Sequence, residues 1–212
     1  VLFVQDDIAD KVMTMLAGAM DELKIGDPGL LSTDVGPVID ADALKILEDH
    51  AARMAGEARL IKQAPLPDDG RGDETAHGTF FAPRAWELKS LDQLQREVFG
   101  PALHVLRWKA DQLDAVIDAI NATGYGLTLG VHSRIDETVD RISNGVHVGN
   151  VYVNRNQIGA VVGVQPFGGQ GLSGTGPKAG GPHYLARFAT EKTVTVNTTA
   201  AGGNASLLTL GD

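Results

Sequence analysis

Short apolar runs alternate with amphipathic helical stretches from Val1 to Val153, and this alternation restricts the fold more than any other feature of the chain. Val1 to Gln5 reads as a buried strand. Asp6 or Asp7 is placed to cap a helix with Ile8, Val12, Met15, Leu16, Ala19 and Leu23 on its apolar face, and Gly26-Asp27-Pro28-Gly29 stops it. Asp40 is placed to cap a second helix built on Leu44, Leu47, Ala51 and Met54. Ala58 to Ile61 reads as a strand, followed by a polar loop from Pro65 to Gly78. Phe80-Phe81, Trp86 to Leu88 and Leu103 to Trp108 follow as strands. A third helix starts near Asp111, uses Leu113, Val116, Ile117 and Ile120, and stops at Asn121-Ala122-Thr123-Gly124. A strand from Thr128 to His132, a short helix from Ile135 to Ile142 and a strand from Val146 to Val153 continue the pattern. Beyond them the spacing predicts a helix from Pro182 to Ala189 and a late strand over Val194 to Val196. Strands and helices taking turns imply an α/β fold: a mainly parallel sheet flanked by helices, with a C-terminal strand and extension.

Composition narrows the classes. A length of 212 residues suits one domain or one large piece of a bigger enzyme, and 43% hydrophobic residues suffice for a core. A net charge of −9 argues against a general nucleic-acid binder, which presents a basic surface. No apolar run reaches the roughly 18 residues that would suggest a membrane helix. Without cysteine the chain offers no disulfide, no cysteine-ligated zinc and no thiolate nucleophile of its own. The six histidines show no metal-ligand spacing, so no metal site is expected. The chain opens in mid-strand at Val1, without an initiator Met or a basic leader, which reads as a piece of something longer.

Charge and glycine share a boundary. Residues 1–140 carry a net −12, whereas residues 141–190 contain no Asp or Glu but hold Arg141, Arg155, Lys178 and Arg187. The chain average would put about six carboxylates in that stretch. Chance or burial accounts for such a gap, and so does proximity to an anionic ligand that carboxylates would repel. Of 26 glycines, 11 lie between Gly145 and Gly181, interleaved with Val161, Val162, Val164, Phe167 and Leu172. A flexible linker would be polar, so this stretch reads as an ordered loop. Gly169-Gln170-Gly171-Leu172-Ser173-Gly174 matches a dinucleotide fingerprint only formally. Pro166 stands where a strand should feed the turn, and Pro177, Gly180, Gly181 and Pro182 forbid the long helix that should follow. Asp68-Asp69 and Asp73-Glu74 read as solvated loop carboxylates.

Three blocks carry a sharper signal. Glu97-Val98-Phe99-Gly100-Pro101 resembles the E-x-F-G-P motif of the NAD(P)-dependent aldehyde dehydrogenases, and Tyr125-Gly126-Leu127 with Gly130-Val131 resembles their Y-G-L-x-x-G-V block. Gly149 to Asn154, Pro166-Phe167-Gly168-Gly169 and Leu172-Ser173-Gly174 resemble their G-x-x-x-x-N, P-F-G-G and S-G run. Asn154 to Gly163 and Gly174 to Pro182, with the tail Asn197 to Ala205, are similar to the L-glutamate γ-semialdehyde (1-pyrroline-5-carboxylate) dehydrogenase module of bacterial bifunctional proline-utilisation enzymes.

The resemblance implies a catalytic domain over 1–185 that lacks its N-terminal part and its nucleophile, with an oligomerisation strand and tail over 186–212. It implies NAD as cofactor, with FAD confined to a separate proline dehydrogenase domain. The nucleophilic cysteine, the general-base glutamate, the oxyanion-hole asparagine and the NAD-binding domain would all lie upstream of Val1. On the residues present, Glu97 would accept the hydroxyls of the nicotinamide ribose and Phe99 would pack against the nicotinamide end. Gly159 and Ala160 would anchor the carboxylate of the aldehyde, and Phe167 would wall its chain. The implied partners are the upstream segments, a carboxylated aldehyde and further copies of the chain, in a bacterial cytoplasm, with any membrane contact made by other domains. Two other classes compete: a carboxylate-binding module without chemistry, which titration with glutamate would reveal, and an oligomerisation piece, which light scattering would reveal.

Overall fold

The computed structural model describes residues 1–67, 75 and 77–197. These fall into two compact units, one over Val1–Ala122 and one beginning at Thr123.

In the first unit, β1 (Leu2–Gln5), β2 (Arg59–Gln63), β3 (Arg84–Leu88) and β4 (Ala102–Trp108) form one sheet in the order β1-β4-β3-β2. β1 and β3 both run parallel to β4, and only β2 pairs antiparallel. Helices α1 (Asp6–Asp21) and α2 (Ala41–Glu57) pack against it. The α/β expectation with a mainly parallel sheet therefore holds. Asp40 caps α2, its Oδ1 accepting the Ala43 N–H at 2.7 Å, and Leu47, Ala51 and Met54 are buried as the periodicity predicts. They meet Phe81, Trp86, Leu88 and Leu106 in the main core.

Several local expectations fail for identifiable reasons. Gln5, not Asp6 or Asp7, is the N-cap of α1, and it makes no side-chain cap bond. Asp6 and Asp7 sit in the first turn, where their charge suits the helix dipole. The buried stripe of α1 is Ala9, Met13 and Met20, while Ile8 and Met15 are exposed. Phe80-Phe81 forms no strand, although Phe81 is fully buried. Two residues on, Pro83 supplies a carbonyl to Ala64 but has no N–H to give a ladder. The third helix, α3, spans Leu113–Ala122 after a 3-10 turn over Ala110–Gln112.

Charge stitches the sheet to α1. Arg107 on β4 reaches Asp10 at 2.5 Å and Asp6 at 3.4 Å on α1, and Glu87 on β3 at 2.6 Å. Glu87 also pairs with Arg59 on β2. Burial pushes the Glu87 carboxyl up, but the two arginine hydrogen bonds outweigh it and hold the group below its ordinary range.

A buried histidine pair lies in the core. His50 on α2 and His104 on β4 meet Nε2 to Nε2 at 2.8 Å, and the Trp86 indole stacks on His104 with ring centres 5.7 Å apart. One ring must donate and the other accept, which favours two neutral rings of opposite tautomer. Burial lowers both, aided at His104 by His50, and brings His104 to about 4. The folded value lies below the unfolded one. The resulting stability is thus complete above roughly pH 6.5 and is lost as the pH falls toward 4. Denaturant midpoints at pH 7 and pH 4.5 should therefore differ more for the natural chain than for a His50→Leu/His104→Phe double variant. Equal pH dependence would remove this account of the pair.

The second unit is built on β6 (Thr128–Val131) parallel to β7 (Asn150–Val153), with α4 (Asp136–Gly145) between them in sequence. Antiparallel β5 (Tyr125–Gly126) and β8 (Gln170–Gly171) form a second ladder. Pairing begins at Asn150, so Val146 to Gly149 is not strand as the sequence suggested. The helix expected from Pro182 reduces to a 3-10 turn over Leu185–Phe188, whose apolar residues Leu185 and Phe188 are exposed and have no core to cover. Val194 and Val196 form no strand, since nothing among the described residues offers them a ladder. The loop carboxylates from Asp68 to Glu74 and the tail beyond Asn197 lie outside the described residues.

Candidate active site

The predicted site residues divide between the units. Glu97 and Phe99 lie in the first, and Gly159, Ala160 and Phe167 in the second.

In the first unit the run Glu97 to Pro101 leads into β4. Val98 turns inward against the core, so its neighbours Glu97 and Phe99 turn outward. Gly100 fixes this alternation. It adopts φ +146°, and a Cβ there would come within 2.7 Å of Leu47. The Glu97 carboxylate has no partner among the described residues, and the Phe99 ring is 86% exposed. A free carboxylate beside a bare aromatic ring suits the hydroxyls and the flat face of a cofactor.

In the second unit the motif blocks come together physically. Tyr125 pairs with Gly171 and Gly126 with Gln170, and Ser173 Oγ accepts the Gly126 N–H at 3.0 Å. The Y-G-L block is thereby tied to the S-G run. Gly171 is followed by a tight turn in which Ser173 N–H donates to the Gln170 carbonyl, not by a helix, so no pyrophosphate cradle forms there. Phe167 is half-buried and bridges Ala179 through two backbone hydrogen bonds of 3.0 and 2.9 Å, which fix its backbone.

Asn154 and Arg155 shape the loop between β7 and Phe167. Asn154 takes a left-handed φ of 54° and grips the Ser133 backbone through both ends of its amide, at 3.0 and 2.9 Å. Arg155 then turns back over the Tyr152 ring, 4.6 Å from its centre. Its guanidinium donates to the carbonyls of Asn156 at 3.1 Å and Gly159 at 3.4 Å and to Gln165 Oε1 at 3.3 Å. Gln165 Oε1 also accepts the Val161 N–H at 3.1 Å. The N–H groups of Gly159 and Ala160 donate to nothing among the described residues. At the foot of the loop Val164, Gln165 and Pro166, with Asn150, Tyr152 and Lys178, line a cavity of about 580 Å³.

The electrostatics differ sharply between the units. Arg53, Arg59, Arg84 and Arg107 of the first unit all face carboxylates. Arg155 bonds only neutral oxygens. So does Lys178, which donates to the Gly149 carbonyl and to Asn150 Oδ1, and so does Arg187, which reaches the Gly176 carbonyl and Thr175. Arg155, Lys178 and Arg187 thus hydrogen-bond neutral oxygens, unlike the four arginines of the first unit. Among the described residues no group of three or more His, Cys, Asp or Glu could hold a metal. No helix there is long and apolar enough to cross a membrane.

Sequence reasoning missed Asn154 and Arg155 as shapers of the site. The motif marks Asn154 but not what it does, and the partners of both residues converge only once the loop has folded. For Arg155 only its position after β7 hinted at a role.

Known proteins resemble this chain in sequence and in fold. The bifunctional protein PutA of Escherichia coli is 56% identical over 188 residues, 89% of this chain and 14% of that protein. A 1-pyrroline-5-carboxylate dehydrogenase of Geobacillus is 37% identical over 193 residues, 90% of this chain and 36% of that protein. Among solved structures, Bradyrhizobium japonicum proline utilization A superposes with a TM-score of 0.84 at 61% identity, over 95% of this chain and 20% of that one. A Thermus 1-pyrroline-5-carboxylate dehydrogenase with bound NAD gives 0.77 at 33% identity, over 88% of this chain and 35% of that one. The chain thus spans about a seventh of its PutA relatives and about a third of the dehydrogenases. The aldehyde dehydrogenase family model matches residues 1–194, and the chain belongs to the aldehyde dehydrogenase family.

Proposed function

We propose that this chain forms the C-terminal part of a domain that oxidises L-glutamate γ-semialdehyde to L-glutamate with NAD. The observation that carries the reading is the pair of unpartnered N–H groups on Gly159 and Ala160, set in a segment where Arg155, Lys178 and Arg187 hydrogen-bond neutral oxygens. Two adjacent backbone donors in a positive field are what a small carboxylate needs. Names among the similar proteins point the same way, since several are 1-pyrroline-5-carboxylate dehydrogenases.

Within this reading Gly159 and Ala160 hold the substrate's carboxylate, and the Phe167 ring forms an apolar wall along its chain. Anchoring the far end of the molecule holds the aldehyde in one place, which is the orientational part of catalysis. Glu97 accepts the ribose hydroxyls of NAD, and Phe99 covers the nicotinamide end. Bound NAD supplies the acceptor for the hydride released as aldehyde becomes acid. The family's thiolate, its general base and its dinucleotide domain come from segments outside this chain, which has no cysteine. FAD belongs to a separate proline dehydrogenase domain. Residues 186–212 serve oligomerisation, an assignment favoured by the exposure of Val194 and Val196, and the setting is a bacterial cytoplasm.

In the full-length protein, Glu97→Gln should raise the KM for NAD by about tenfold, the loss of one charge-assisted contact. Ala160→Leu should raise the KM for the semialdehyde by at least as much and leave that for NAD alone. Steady-state kinetics with each substrate varied in turn check both. Unchanged constants in both variants would remove these roles.

A further inference from the structure

We propose that Arg155 is a positioning residue that sets the preference for a carboxylated aldehyde, by aiming the Ala160 N–H at the substrate's carboxylate. This rests on the reading of Gly159 and Ala160 given above, and adds to it a residue that touches no substrate.

The loop from Asn154 to Phe167 contains no helix or strand to hold it in place. Burial does not hold it either, because Ile158 and Val162 are 91% and 97% exposed. Its order must come from polar contacts, and Arg155 makes three of them from one side chain. The guanidinium is fixed first, lying on the Tyr152 ring at 4.6 Å while Tyr152 itself is buried in β7. From that seat it reaches the Gly159 carbonyl directly and braces Val161 through the shared Gln165 Oε1.

Peptide geometry converts this brace into aim. The Gly159 carbonyl and the Ala160 N–H belong to one planar trans peptide unit and point in opposite directions. Drawing the carbonyl onto Arg155 therefore turns the Ala160 N–H away from the arginine. Val161, one residue on, has its N–H bound to Gln165 and is not available to a ligand. Gly159 and Ala160 keep free donors, as do several neighbours in the loop, but these two have the smallest side chains of the adjacent pairs and leave the most access to them. A hydrogen bond from a cation to the carbonyl also polarises that amide and makes its N–H a better donor. Arg155 lacks a carboxylate partner that would cancel its charge, so the field at the loop stays positive. Lysine could supply the charge at this position but not the fork that spans three acceptors.

Steady-state kinetics on the full-length protein test this with two aldehydes, glutamate γ-semialdehyde and uncharged propanal. Arg155→Met should raise the KM for the semialdehyde by about tenfold or more, with kcat changed less than about threefold. The KM values for propanal and NAD should not move. Arg155→Lys should recover part of the loss. An equal rise for both aldehydes would mean that Arg155 merely supports the fold, and no change with either would mean that it does not aim the loop. Ala160→Leu, run in parallel, separates the two levels. If Ala160→Leu discriminates between the aldehydes and Arg155→Met does not, the proposal for Arg155 falls alone. If neither discriminates, the carboxylate anchor falls and Arg155 with it.

Discussion

Gly149→Ala should be among the most damaging single substitutions in the chain, with an expected loss of about 3–5 kcal/mol. Gly149 sits where the approach to β7 crosses the P-F-G-G turn. A Cβ there would lie 1.7 Å from the Gly168 carbonyl oxygen and 2.9 Å from the Gly169 Cα. Both are backbone atoms, so no side-chain rotation relieves the contact, and the two segments must separate. Separation strains the Gly149 N–H bond to the Gly126 carbonyl, the Asn150 amide bond to the Pro166 carbonyl, and the Lys178 contact with the Gly149 carbonyl. These bonds hold the foot of the loop from Asn154 to Phe167, so the proposed aldehyde site should be lost with the stability. Gly18→Ala is the control. Gly18 lies inside α1, where a Cβ would meet nothing within 4 Å, and the exchange should stabilise by about 0.5–1 kcal/mol. Denaturant unfolding of both variants checks the pair, and a Gly149→Ala midpoint equal to that of the natural chain would refute the close crossing.

How much of this was legible in the sequence follows from what each element depends on. α2 could be read because a capping Asp40 and a single apolar stripe agree with each other. α1 could not be oriented. Ile8, Ala9, Val12, Met13, Met15, Leu16 and Met20 spread apolar side chains around much of the helix, and only tertiary packing selects Ala9, Met13 and Met20. The stretch around Pro182 and the run Val194 to Val196 show the opposite limit. Their local patterns are adequate, yet a helix without a core and a strand without a ladder do not form. For the proposed site, the sequence offered motifs alone. They nominate Glu97, Phe99, Gly159, Ala160 and Phe167, whereas the role proposed for Arg155 rests on carbonyls that three-dimensional folding brings to it. The segment without carboxylates was ambiguous in sequence between chance and an anion site. The neutral partners of Arg155 and Lys178 favour the anion.

The 212-residue chain on its own is expected to reduce no NAD, and no other expected effect is as large. It contains no cysteine to attack the aldehyde. The proposed contact with NAD would also be too small. A charge-assisted hydrogen-bond pair from Glu97 contributes about 1.5–3 kcal/mol, while even millimolar affinity requires about 4.1 kcal/mol. Neither the chemistry nor the binding can be completed by these residues alone. The most direct measurement is NAD reduction with glutamate γ-semialdehyde, followed by absorbance, on this chain and on one extended upstream through the segments that its PutA relatives carry. Turnover is expected in the extended chain and none in the short one. Turnover by the short chain would show that no thiolate from outside is needed. Silence from an extended chain that folds and binds NAD would remove the semialdehyde as substrate.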